Sequence, residues 1–329
     1  MMKKLLSISL IFLIVLSFAG CNKWVTVANS TFDNPNGGNH IYGIAYGNGK
    51  FVAVGWGCQI AYSTNGINWT AVKNSPFCTI NDADSIYGIA YGNGKFVAVG
   101  MYCKIAYSAN GINWTVVKNS PFNRSSYRSS YINCIAYGNG KFVAVGTSGE
   151  IAYSTNGINW TAVKNSPFGD FIYGIAYGDG KFITVGGDGK MAYSTNAINW
   201  TEIPNNIFGA SHIYGITYGN GKFVAVGGDG KMAYSTNAIN WTKMPNNIFR
   251  ASHIYEIAYG GGKFIAGDRA GVFNKYKAKI AYSTDGINCN SLSYPFNERG
   301  FYDIAYGDDK FVAVGQDGQI AYLPISAIE

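Results

Sequence analysis

The sequence is poor in charge. Asp, Glu, Lys and Arg make up 13% of its 329 residues. Arginine occurs five times, at Arg124, Arg128, Arg250, Arg269 and Arg299. No Lys/Arg run or arginine-rich stripe exists, which argues against nucleic acid as a partner. No run of alternating acidic residues of the calcium-loop kind occurs either, so no metal or other cofactor is expected. Beyond residue 18 no apolar stretch is long enough to span a bilayer. What remains is 47% hydrophobic and 16% aromatic, with 43 glycines. That is apolar material for a large core and glycine for many tight turns.

The first twenty residues read as an export signal. Lys3 and Lys4 form a positive start, and Leu5 to Phe18 is a short apolar run. Phe18-Ala19-Gly20-Cys21 resembles a bacterial lipobox, with Phe18 where Leu is usual, and makes Cys21 a candidate for acylation. An ordinary secretory signal with another cut site is the alternative. Either way export is expected, with a lipid anchor at the bacterial cell envelope if Cys21 is modified. Loss of Lys3 and Lys4 takes the net charge from +7 to +5.

One phrase then repeats seven times. Its cleanest copy, Ile41 to Gly55, reads IYGIAYGNGKFVAVG, and it returns at Ile86, Ile132, Ile172, Ile213, Ile254 and Phe301. A period of 40–50 residues with strand content predicts a β-propeller. Within one unit, Ile41–Tyr46, Phe51–Val54, Gln59–Tyr62 and Trp69–Val72 read as four antiparallel strands, with Asn48-Gly49 as the first hairpin turn. The seventh unit lacks its Trp-containing strand. That strand is supplied by Trp24 to Phe32, which matches Trp69 to Phe77. The expectation is an all-β, seven-bladed, monomeric propeller over residues 21–329. In it the N-terminal strand completes the last blade and removes the open sheet edges.

The turn between third and fourth strands carries a pattern of its own. It reads Ser63/Asn65/Gly66/Trp69, then Ser108/Asn110/Trp114, Ser154/Asn156/Trp160, Ser194/Asn196/Trp200, Ser235/Asn237/Trp241 and Ser283/Asp285, where Cys289 replaces Trp. This resembles the Asp-box (BNR) repeat of sialidase-like propellers, one residue shorter than the usual form. The resemblance implies a structural turn whose polar side chain bonds the backbone and whose Trp packs between blades. It extends to non-enzymes, including photosystem assembly factors. Sialidases hold the substrate carboxylate with three arginines and use a Tyr-Glu pair with an acidic partner. The arginines here do not sit in that family's sequence context, so no catalysis is expected, with a degenerate glycoside hydrolase as the alternative.

The units disagree on one face. Second-to-third turns and blade-to-blade loops vary there, and binding residues gather on such loops. The Gly43 slot is Gly88, Cys134, Gly174 and Gly215 in the next blades, then Glu256 and Asp303. Arg250, His253, Arg269, Phe273, Tyr276 and Arg299 are expected near these carboxyls, a mixture suited to a glycan or a peptide. The alternative is that the carboxyls pair with arginines to tie blades together. His40, His212 and His253 each precede a first strand, which suggests loop capping. Cys58, Cys78, Cys103 and Cys134 share this face and could form two disulfides in an exported protein, or stay as thiols. Cys289 is expected to be buried and unpaired. An envelope-complex assembly factor is a further functional class.

Overall fold

The computed structural model describes residues 23–32, 38–78, 84–122, 130–204, 207–245, 248–269, 278–296 and 299–328. Seven four-stranded antiparallel sheets follow one another around a ring. Blade one runs Ile41–Gly47, Lys50–Gly55, Ile60–Ser63 and Thr70–Ala71 from the central channel outwards. The first two strands are joined by Asn48 (φ 48°) and Gly49 (φ 69°). Two successive positive φ values make the turn whose twist suits a two-residue hairpin. The same phrase gives the same hairpin in every blade.

Blade seven is assembled from both ends of the chain. Its three inner strands are Phe301–Gly307, Lys310–Gly315 and Ile320–Pro324, and its outermost is Val25–Thr26. Val25 pairs with Tyr322 and Thr26 with Ala321. Trp24 and Phe32 are buried beside it. The ring therefore closes as the sequence predicts.

The core lies between blades. Val52 and Val54 of blade one pack against Phe96 and Ala98 of blade two, and equivalent clusters follow around the ring. Nearer the axis a second contact links the blades. A methyl group placed on Gly47 would fall 2.0 Å from the ring of Tyr91 in the next blade. The same holds for Gly92 and Tyr137, Gly138 and Tyr177, Gly178 and Tyr218, and Gly219 and Tyr259, and Gly307 meets Tyr46 across the closure. Only glycine permits this approach. Tyr46 and its equivalents are thus scaffold.

The fourth strands are shorter than expected. Six have two residues and blade six has three, Asn290–Leu292. The tryptophan expected to open each strand instead belongs to the turn before it. Trp69 Nε1 donates to the Gly66 carbonyl at 3.2 Å, and Trp241 Nε1 to the Ala238 carbonyl at 3.1 Å. That bond ties each indole to its own turn, and of these turn tryptophans Trp69 is buried. Trp114, Trp160, Trp200 and Trp241 rest on the interblade core but are only half-buried. The turn itself is held as its composition implies: Ser63 Oγ accepts from the Gly66 amide (2.9 Å), and Asn65 Oδ1 from those of Ile67 and Asn68 (2.9 Å each). Corresponding side-chain bonds recur at Asn110, Asn156, Asn196, Asn237 and Asp285. Ala197 and Ala238 take φ of 65° and 72° where other blades have glycine.

Candidate functional site at the mouth of the central channel

Second-to-third turns and the loops before each first strand share one face. Backbone bonds join them, Trp56 N to His40 O (2.8 Å) and Gly228 N to His212 O (2.8 Å) among others. Four of these turns are single 3-10 turns with a left-handed central residue: Ser148, Asp188, Asp229 and Asp317. The histidines brace them. The amides of Asp188, Asp229 and Asp317 donate to Nδ1 of His212, His253 and His40 at 3.3, 3.2 and 3.4 Å. An accepting Nδ1 must be unprotonated. His253, expected as a ligand contact, therefore spends one ring nitrogen on its neighbour's turn.

Within this face the channel opens into a cavity of about 370 Å³. Its rim is tyrosine. Tyr302, Tyr42 and Tyr87 stand 5.3 and 5.4 Å apart between ring centres, and Tyr173, Tyr214 and Tyr255 stand 5.4 and 4.6 Å apart. Arg269 joins the two arcs. Its guanidinium lies 4.3 Å from the ring centres of both Tyr255 and Tyr302, an arrangement in which both ring faces attract the cation. Its Nε is buried and has no hydrogen-bond partner among the described residues. Burial raises the hydroxyl pKa of Tyr42, Tyr87, Tyr173, Tyr214 and Tyr302, to about 12 for Tyr214. The rim thus offers neutral phenols around one cation.

Arg269 is placed by the stem of the blade-six insertion. Asp268 Oδ1 accepts from the Lys279 amide (2.7 Å), and the Asp268 amide donates to Lys279 O (3.0 Å). Lys279 Nζ reaches the Ile248 carbonyl at 2.6 Å. This clamp holds Arg269 beside Tyr255 and Tyr302 at the channel rim.

Beneath the rim lie Glu256, Asp303 and Cys134. Neither carboxyl forms an ion pair among the described residues, so the expected blade-tying arginine pairs are not what holds them. They bind backbone instead. The first strands wall the channel, and some of their amides point inward. Asp303 accepts from Ile304 N and, across the blade boundary, from Ile44 N, both at 2.7 Å. Glu256 Oε1 accepts from Ile257 N at 3.0 Å. The Cys134 thiol takes the amides of Ile135 and Ile175. All three are half-buried and line the channel cavity. Burial pushes Asp303 up to about 7. Burial and the neighbouring Asp303 hold Glu256 well above the usual range, and burial takes the Cys134 thiol up to about 12.

The remaining expected residues divide as follows. Arg250 is exposed on the loop before blade six, at φ 56°, and does not line the channel. Arg299 pairs with Asp317 of its own blade. Phe273 and Tyr276 lie outside the described residues, as does Cys21. Of the two readings left open for the cysteines, the structure has the thiols: Cys58, Cys78, Cys103 and Cys134 form no disulfide, nor does half-buried Cys289. Cys134 is committed to the channel, while Cys58 and Cys78 are hydrogen-bonded neighbours. The sequence analysis did not single out the Tyr42-type ring, because tyrosine recurs at three slots in nearly every blade, Tyr42, Tyr46 and Tyr62 in blade one. Asn133, which replaces tyrosine in blade three alone, was the available signal.

No protein-family model and no curated protein matches this sequence. Its fold is similar to solved seven-bladed propellers. YCF48 bound to a D1 peptide superposes with a TM-score of 0.67 at 14% identity, over 92% of this chain and 94% of that one. Virginiamycin B lyase from Staphylococcus aureus gives 0.70 at 16%, over 92% and 98%. The WD40 propeller domain of Doa1 gives 0.64 at 10%, over 91% and 96%. At these identities the likeness defines the class, a β-propeller whose structural neighbours include a lyase and binding proteins.

Proposed function

We propose that this protein is a non-catalytic binding module of the bacterial cell envelope, lipid-anchored through Cys21, whose channel mouth takes an acidic group of a protein partner. The observation that carries this reading is Arg269. A guanidinium held between two tyrosine faces at the lining of the cavity can receive a carboxylate. The tyrosine hydroxyls around it add donors and rigid contact area. A propeller neighbour bound to a peptide supports a protein ligand over a glycan at this mouth.

The glycosidase alternative would need Glu256 and Asp303 as its working carboxyls. Both oxygens of Asp303 are already taken by backbone amides, which favours a structural role. Turnover of a glycoside that vanished in Glu256→Gln would reverse this view.

The test is a titration of acidic peptides, each with a free and an amidated C-terminus, against wild type and Arg269→Gln. A bound peptide should lose about 30-fold or more in affinity in the variant, the size expected of a buried arginine anchor. Equal binding by Arg269→Gln would sink the proposal. Cys21→Ala should move the protein from the membrane to the soluble fraction, and persistence at the membrane would remove the lipid anchor from it.

A further inference from the structure

The outer rim repeats a second kind of cavity. Between blades one and two, Tyr62, Lys73, Asn74, Ile112, Asn113 and Trp114 line a cleft of about 430 Å³. The junction of blades two and three gives a cleft of about 480 Å³ from the matching residues, and that of blades three and four one of about 420 Å³. Each has one lysine (Lys73, Lys118 or Lys164) and no carboxylate in its lining. One wall is a tryptophan fixed by its own turn, with Trp114, Trp160 and Trp200 donating Nε1 to a backbone carbonyl at 3.1–3.3 Å. Beside it stands an isoleucine that the fold leaves partly or fully in water, with Ile158 and Ile198 at 36% and 43% exposure.

The lysines and asparagines are exposed and have no evident scaffold duty. Aromatic and aliphatic walls, side-chain amides and a cation suit a sugar ring that carries a negative charge, since its C–H face packs on the apolar wall and its hydroxyls and carboxylate meet Asn and Lys. The fourth strand beside each cleft has two residues, too few to register an added peptide strand. The repetition itself sets the size of the ligand. Three like clefts at consecutive blade junctions match a chain whose charged groups also repeat, and linked weak sites gain avidity without further contacts. At the next junction Glu202 and Pro204 stand where Ala71 and Lys73 stand in blade one, which exchanges the cation for an acid and ends the series.

We propose that the clefts at the first three blade junctions are tandem subsites for an acidic polysaccharide, distinct from the channel mouth.

The experiment measures binding of polygalacturonate, galacturonic acid, dextran and poly-L-glutamate to the mature protein. Variants are Lys73→Ala, Lys118→Ala and Lys164→Ala, singly and together, with Lys243→Ala as an exposed control and Arg269→Gln to separate the channel. Thermal melts verify folding. Polygalacturonate should bind and the monomer should bind far more weakly. Each single variant should lose about 3-fold, the scale of one exposed ion pair, and the triple variant about 30-fold, with both controls unchanged. The proposal is overturned if polygalacturonate does not bind, or if the triple variant binds it like wild type. It is also overturned if the loss follows Arg269, or if dextran or poly-L-glutamate binds as tightly as polygalacturonate.

Discussion

A carboxyl in the wall of a channel has to find donors, and the two here find main-chain amides. That choice has a pH consequence. Glu256 titrates from an unfolded value near 4.5 but is held well above it when folded. The folded protein therefore keeps a proton that the unfolded chain releases, and stability falls as pH rises through that window. Glu256→Gln keeps an acceptor for the Ile257 amide and has no proton to lose. Its stability relative to wild type should be near zero at pH 4 and grow steadily towards pH 8, read as the difference in urea midpoint across the series. A flat difference would contradict the assignment. At Asp309 the effect is conformational. Its φ is 54° in a hairpin where the other blades place glycine, and the residue is exposed. Asp309→Gly should relieve about 1 kcal/mol of left-handed strain, visible as a higher Tm. The sequence exposed Glu256, because it breaks a seven-fold rule, while Asp309 was not singled out. It did not expose what the carboxyls bind, since inward amides leave no mark in a sequence.

At the scale of one element, the first strand carries two tyrosines with opposite duties. Tyr46 and its equivalents lie flat on a glycine of the preceding blade, while Tyr42 and its equivalents stand in the channel rim. Composition cannot separate them, because both alternate with small residues along one strand. A bulge at Tyr42 resets the register between Ile41 and Gly43, and it is Tyr42, not Tyr46, that lines the channel mouth. Gly178→Ala should cost about 2–3 kcal/mol through overpacking against Tyr218, measured by chemical denaturation. Gly180→Ala, where no atom lies within 4 Å but φ is 71°, should cost about 1–2 kcal/mol through backbone strain alone. Equal and negligible losses at both sites would mean that the blade contact is looser than described. The hairpins and the polar half of the box turns were fully legible, since Asn-Gly and Ser-x-Asn specify their own backbone. The indoles were not: the pattern fixes where Trp241 and its equivalents fall in the chain, but how much of each ring stays in water depends on the next blade.

For the molecule as a whole, blade number and ring closure were readable because the missing strand and its substitute share a pattern. The channel mouth was readable only in part. Glu256, Asp303 and Arg269 were expected together, but Arg299 and His253 were drawn away by Asp317 and Asp229. Those are pairings across loops whose paths no local signal sets. Removing residues 23–32 leaves blade seven without its outer strand and takes Trp24 and Phe32 out of the core. Each aromatic contributes about 3 kcal/mol or more when buried, so the truncated chain should melt at least about 10 °C lower. A circular permutant that joins the strand directly after Pro324 should restore the melting point.

That seam also dictates when the ring can form. Residues 25–26 leave the ribosome long before residues 320–324 and must wait almost three hundred positions for them. Until the two meet, each is an open strand edge from the moment it is made, and a strand from one chain fits the edge of another as well as its own. Crowded synthesis should therefore yield exchanged dimers, two rings each completed by the other's leading strand. Dilution before closure should suppress them.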